Sequence, residues 1–236
     1  MARIGSLIVL LGALLASLLT SCDPGFKQSN DFPEKKIQTE AFNRIILQGG
    51  YNVTLSQSEK SSLTIQASTA NKNKLDIDVK DSTLYVKMRN PNISVKDTKL
   101  NISISDLKSL KLEGGLNLVT NGFLDLKKVF IDIAGGANAK FQLTANEIRA
   151  ETEGGVNLEF EGITNDFTIK TEGAGNIDAD RLEAQNVTCK IAGVGNASVY
   201  PTETLNAQLE GIGKISYRGN PVVTKQIEGI GLIYRK

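Results

Sequence analysis

The chain has 236 residues, 40% of them hydrophobic, which is enough apolar material for a buried core and excludes disorder for most of its length. Its 27 lysines and arginines against 26 acids give a formal net charge of +1. That balance excludes nucleic acid as a partner, since binding it takes a basic face that displaces counterions from phosphates.

Residues 1–21 read as a signal peptide, with Arg3 followed by an apolar run from Ile8 to Leu19 broken only by small residues. The stretch from Ile4 to Leu19 is short of the roughly 20 residues that a spanning helix prefers. Turn-forming Asp23-Pro24-Gly25 follows it in place of a basic stop-transfer flank, leaving an uncleaved anchor as the alternative. Leu19-Thr20-Ser21-Cys22 resembles the lipobox of bacterial lipoproteins. That resemblance implies a diacylglycerol on Cys22, a membrane as partner through this lipid, and a place in the bacterial cell envelope. The outer membrane is the expected site, with the domain periplasmic or surface-exposed. Lipidation leaves Cys189 as the remaining cysteine, so no internal disulfide is expected. Removing residues 1–21 takes away Arg3 and leaves 26 basic against 26 acidic residues. Residues 22–36, with Pro24, Gly25, Ser29, Asn30 and Pro33, read as the lipidated cysteine and a flexible tether.

From Ile37 to Lys236 apolar and polar residues alternate, β-branched residues are frequent, and no long stretch has helical spacing. This part is expected to be one all-β domain. Anchor glycines recur at Gly49, Gly114, Gly135, Gly154, Gly173, Gly193, Gly211 and Gly229, at intervals after Gly114 of 21, 19, 19, 20, 18 and 18 residues. The gap of 65 residues between Gly49 and Gly114 is close to three such units and is expected to hold three degenerate copies.

Apolar residues keep fixed offsets from the anchor. Two positions before it stand Leu47, Leu112, Ile133, Thr152, Thr171, Ile191, Leu209 and Ile227, and four positions after it stand Val53, Leu118, Ala139, Leu158, Ile177, Ala197, Ile215 and Ile233. Four before it the file runs from Ile45 through Cys189 and Ala207 to Lys225, while odd offsets carry charge, as at Lys111, Asp132 and Glu151. Period-two alternation in every copy means strands with one buried face. Coils of about 18–21 residues with short strands and no helix fit a single-stranded parallel β-helix, or β-solenoid, in which turns stack about 4.8 Å apart. A propeller blade takes about 40 residues, and a sandwich does not repeat identical offsets. The handedness is expected to be right-handed, by analogy with other β-helices of similar coil size.

Three residues after the anchors come Asn52, Asn117, Asn138, Asn157, Asn176 and Asn196. Asn tolerates tight corners and stacked carboxamides bond to one another, so the file is expected to be a structural ladder, with a ligand-binding stripe as the alternative. Glu113, Glu153, Glu172, Glu210 and Glu228 precede their anchors, with Lys111, Lys170 and Lys190 two positions earlier on the same side. A solvated, charge-balanced face is the expected reading. Glu153, Glu172 and Lys170 are the candidate binding face, and stacked carboxylates holding a cation or cleaving a polysaccharide are the chemical alternative. The chain has no histidine to activate a serine, Cys189 lies on an apolar file, and the paired glycines precede no helix. No catalytic residue, metal or cofactor is therefore expected. Tyr200, Tyr217 and Tyr234 are the candidate exposed aromatics, with core or rim packing as the equal alternative.

The run Phe42-Asn43-Arg44-Ile45-Ile46-Leu47-Gln48-Gly49-Gly50-Tyr51-Asn52-Val53-Thr54-Leu55 opens the repeat. The Gly173-Ala174-Gly175-Asn176 and Gly193-Val194-Gly195-Asn196 corners follow, and Gly211-Ile212-Gly213 and Gly229-Ile230-Gly231 close it. In order and spacing these motifs resemble the Gram-negative family described as "putative auto-transporter adhesin, head GIN domain", over about Phe42 to Lys236. The resemblance implies a parallel β-helix, frequently on a lipoprotein, with an adhesive role and no catalytic residues. A binding module for a glycan or a surface protein is the expected function. The alternatives are a structural protein that self-assembles into homo-oligomers and, further off, a polysaccharide-active enzyme. Lys225, Arg235 and Lys236 are candidate gatekeepers against end-to-end stacking.

Overall fold

The structure, a computed structural model, describes residues 32, 34–89 and 98–236, so the signal peptide, Cys22 and most of the tether lie outside the described residues. The described chain is all-β apart from α1 (Thr69–Lys72), one helical turn whose Asn71 amide donates to the Ser68 hydroxyl at 3.2 Å. The strands are β1 (Glu34–Ile37), β2 (Arg44–Gln48), β3 (Tyr51–Gln57), β4 (Ser62–Ala67), β5 (Leu75–Lys80), β6 (Thr83–Met88), β7 (Thr98–Ile104), β8 (Ser109–Thr120), β9 (Leu124–Asp125), β10 (Lys128–Tyr217) and β11 (Val222–Arg235). All of them join one curled, open sheet of 11 strands.

Pairing follows the anchor glycines. β10 lies parallel to β8 with Ile133 on Leu112, Gly135 on Gly114 and Asn138 on Asn117, and β11 lies parallel to β10 with Gly229 on Gly211 and Ile233 on Ile215. Like residues therefore sit on like residues. The inward files are continuous: Leu47, Leu112, Ile133, Thr152, Thr171, Ile191 and Leu209 are all buried, as is every member of the file from Val53 to Ile233. Phe141 and Phe160, six positions after their anchors, stack with ring centroids 5.2 Å apart. Among the described residues the buried core falls between Phe42 and Ile233, inside the compact unit Phe32–Lys236.

The stretch between Gly49 and Gly114 departs from expectation. β2 and β3 pair directly with β8, Leu47 on Leu112 and Val53 on Leu118, partners 65 positions apart. On their other side β6 pairs with β2 and β7 with β3, both parallel, so β6 and β7 supply one layer beneath the first anchor. Beyond that layer the direction reverses, with β5 antiparallel to β6, β4 antiparallel to β7 and β1 antiparallel to β4. The segment is one parallel layer with an antiparallel border, and not three degenerate copies. A border of this kind suits a sheet margin because β1 is four residues long and charged, Glu34-Lys35-Lys36-Ile37, and so resists further pairing. β1 also carries the sheet three residues upstream of Ile37, into the expected tether.

Glycine is required at the anchors on two counts. Gly193 has φ +132°, and a Cβ there would stand 2.1 Å from the carbonyl oxygen of Gly173. Gly136, one position past its own anchor, has open space around it. Gly193→Ala is expected to cost at least about 2 kcal/mol in urea unfolding. Gly136→Ala is expected to stay within about 0.5 kcal/mol of the parent. Equal effects at the two positions would contradict the stacking of the anchors.

Candidate functional site

The corner after each anchor forms an open trough of about 750 Å³ across five successive repeats, with Asn117, Asn138, Asn157, Asn176 and Asn196 along it. Its floor is glycine and small apolar residues, and none of its lining residues is charged. The bare floor follows from the residue after the anchor, which is glycine at Gly115, Gly136 and Gly155.

Carboxamides face one another along the file. Asn117 Nδ2 donates to Asn52 Oδ1 at 3.0 Å, Asn138 Nδ2 to Asn117 Oδ1 at 3.2 Å and Asn176 Nδ2 to Asn157 Oδ1 at 3.0 Å. Among the described residues no such bond joins Asn138 to Asn157 or Asn176 to Asn196, so the ladder runs in two segments and leaves donors and acceptors turned to solvent. A carboxamide has two donor hydrogens and a two-lone-pair acceptor, more than one ladder bond uses.

The flat strand face before the anchors is built differently. Lys170, Glu153 and Glu172 do come together, in a shallow depression of about 270 Å³ shared with Asp132, Glu151 and Thr152. Lys111 pairs with Glu113 at 3.1 Å and Asp132 at 3.5 Å, Lys190 with Glu210 at 2.7 Å, and Lys170 with Glu151 at 3.7 Å. The Lys111 ammonium and the Gln48 amide hold the Glu113 carboxyl below its ordinary pKa, and the Arg149 guanidinium, bonded to Glu151, does the same there. These pairs are solvent-exposed and contribute little each, and the lowered pKa of Glu113 and Glu151 suits a balanced surface better than a general acid. No cluster of potential metal ligands occurs among the described residues.

The tyrosines divide. Tyr217 is buried in the file six positions after the anchor, Tyr200 lies under the Arg218 guanidinium at 3.8 Å from the ring centroid, and Tyr234 stands exposed. The trough also continues past Asn196 into an apolar stretch of about 620 Å³ lined by Val194, Ile212, Ile230 and Leu232 around a glycine floor. Sequence reading for buried files does not find this stripe, because it lies at an outward offset. Its signal is the change from Gly-Gly after the early anchors to Gly-Val-Gly and Gly-Ile-Gly after the late ones.

Cys189 is fully buried, and burial pushes its thiol pKa up to about 12. The raised value keeps the protonated, unreactive form throughout the neutral range in the native state, and unfolding restores an ordinary thiol. In the unit from Phe32 to Lys236, where Cys189 is the one cysteine, a maleimide is expected to label the chain in urea and to leave the native protein unmodified over the same period. Fast native labelling would place Cys189 outside the core.

Comparison with curated proteins finds no match. Among solved structures, a "putative adhesin" from Bacteroides fragilis superposes with a TM-score of 0.83 at 25% identity, covering 86% of this chain and 96% of that one. A "putative adhesin" from Parabacteroides distasonis gives 0.71 at 20% identity over 86% and 96% of the two chains. One from Parabacteroides merdae gives 0.66 at 22% over 88% and 97%. The latter two show the shared fold. The family described as "putative auto-transporter adhesin, head GIN domain" matches residues 41–221, and this chain belongs to it.

Proposed function

We propose that the chain is an adhesive binding module of the bacterial envelope, tethered through a lipid on Cys22. Its repeats wind a parallel β-helix that presents the asparagine trough to a neutral, hydroxyl-rich polymer such as a glycan. The observation that carries this reading is the trough itself, an uncharged groove crossing five repeats with carboxamides at regular intervals. Groups that both donate and accept match hydroxyls, which do the same, and the glycine floor lets a sugar ring approach the backbone. A charged ligand would find no counter-charge there. The winding is supported by the parallel pairing of like offsets from β2 to β11, and the tether by the sequence around Cys22. Adhesion in place of catalysis is supported by the family description and by carboxylates committed to surface ion pairs. No helix among the described residues is long and apolar enough to cross a membrane.

The test is retention on an array of neutral and charged glycans by the unit from Phe32 to Lys236. Selective retention by neutral glycans is expected. Asn138→Asp with Asn157→Asp should lower it by about tenfold or more, as loss of one or two hydrogen bonds and two added charges would do, while the variant still unfolds in a single cooperative urea transition. Retention by no neutral glycan, or retention indifferent to both substitutions, would overturn the reading.

A further inference from the structure

The corner of each repeat holds one apolar side chain, and its direction reverses part-way along the chain. In the early repeats it lies two positions after the anchor and points inward: Tyr51, Leu116, Ala137 and Val156 are buried, and the position before each is glycine. From Gly173 onward the second position is glycine, Gly175, Gly195, Gly213 and Gly231, and the first position carries Ala174, Val194, Ile212 and Ile230. Val194 is 57% exposed, Ile212 53%, Ile230 72% and the neighbouring Leu232 59%. The late glycines are needed where they stand, since a Cβ on Gly213 would lie 1.8 Å from the carbonyl oxygen of Gly195. Nothing in the packing asks for an outward valine or isoleucine, because the same position is glycine in the early repeats and pairs equally well there. The exposure of Val194 and Ile212 is not an effect of a sheet margin, because both lie on β10 with β11 paired beyond them, whereas Ile230 and Leu232 lie on the marginal strand β11 itself. An exposed apolar row kept at free-energy cost marks a contact surface.

Charge singles out what it contacts. From Gly211 onward the chain has five basic residues, Lys214, Arg218, Lys225, Arg235 and Lys236, and one acid, Glu228, whereas residues 141–190 hold ten acids and four bases. Lys236 is engaged with Asp180, but the other four basic groups form no ion pair among the described residues. Lys214 is the one charged residue lining the apolar stretch, and its register partner on β11 is Leu232. Arg235 Nη1 donates to Asn220 Oδ1 at 3.2 Å, which keeps its positive charge uncompensated. A second copy is disfavoured as occupant because both surfaces would be positive. Stacking on β11 would in addition bury the Lys225 ammonium, which stands in an otherwise apolar file and donates to the Ile233 carbonyl at 2.9 Å. Branched aliphatic side chains, an exposed tyrosine and unpaired lysine and arginine together match a lipid headgroup layer of negative charge.

We infer that the stripe Val194, Ile212, Ile230 and Leu232, with Lys214 in it and Lys225 and Arg235 at other offsets of the adjoining end strand β11, is a docking surface for an anionic lipid bilayer. The late repeats then lie against a membrane while the trough over the earlier ones stays free, and the inference is independent of what the trough binds. The test is flotation of the unlipidated unit from Phe32 to Lys236 with vesicles of phosphatidylcholine alone or mixed with phosphatidylglycerol. Binding to the mixed vesicles is expected to be at least about tenfold tighter than to phosphatidylcholine alone and to weaken with salt. Ile230→Asn with Leu232→Asn, both at exposed positions, should reduce it about tenfold or more. Lys214→Gln with Arg235→Gln should abolish the preference for phosphatidylglycerol, and both pairs should keep the parent urea midpoint. Absence of binding to the mixed vesicles would overturn the inference, as would binding unaffected by either pair. Concentration-dependent dimerisation that is lost in Ile230→Asn with Leu232→Asn would assign the stripe to a second copy and overturn it too.

Discussion

At the anchors the space in which a side chain would begin is taken by a carbonyl oxygen of the repeat before. Built onto Gly135, Gly154, Gly173 and Gly211, a Cβ would stand 2.5, 2.4, 2.5 and 2.0 Å from the carbonyl oxygens of Gly114, Gly135, Gly154 and Gly193. Backbone on backbone at one corner fixes the register of everything else. Once Gly135 sits on Gly114, Ile133 must cover Leu112 and Asn138 must cover Asn117, and a slip by one residue would turn the apolar files outward. The buried files, the asparagine ladder and the ion pairs between neighbouring repeats all inherit their alignment from this contact. Hydrophobic burial supplies the driving force, and the glycines decide which burial is reached.

Because the constraint repeats, much of the fold is legible in the residues. Offsets of two and four from the anchors pick out Leu112, Ile133, Leu118 and Ala139 as interior, and all are buried. The asparagines fall on one corner for the same reason. What escapes this reading is whatever departs from the repeat. Strands β4 to β7 have the alternation of a repeat without its anchor glycine, and alternation is the same for parallel and antiparallel neighbours. Alternation alone therefore reads the stretch as further copies of the parallel repeat, whereas β4 and β5 run antiparallel to β7 and β6. Lys225 and Ile227 occupy interior offsets, yet both are exposed because β11 pairs with β10 alone among the described residues. The reversal of the corner side chain escapes for a different reason. It leaves the glycine count of each corner unchanged while exchanging an inward position for an outward one.

The two halves of the corner offer different chemistry on one continuous surface. Over the middle repeats it is uncharged and rich in carboxamides, and over the late repeats it is apolar with Lys214 as its one charged lining residue. The strand face next to it is salted with close pairs such as Lys140 with Glu159 at 3.0 Å and Lys128 with Glu147 at 2.8 Å, which present little net charge outward. A scaffold of stacked parallel repeats suits this division of labour, since each repeat contributes one residue to each stripe and a property can change along the stripe without altering the scaffold.

Register at the corner is the claim on which the rest stands, and an engineered cross-link tests it most directly. In a Cys189→Ser background, Asn117→Cys with Asn138→Cys places two thiols on register partners one strand spacing apart, about 4.8 Å, within reach of a disulfide. Asn117→Cys with Asn157→Cys places them two spacings apart, about 10 Å, beyond its reach. Mild oxidation followed by mass analysis is predicted to close the first pair and leave the second reduced. Closure of the second pair, or failure of the first in a folded protein, would contradict the stacking of the anchors.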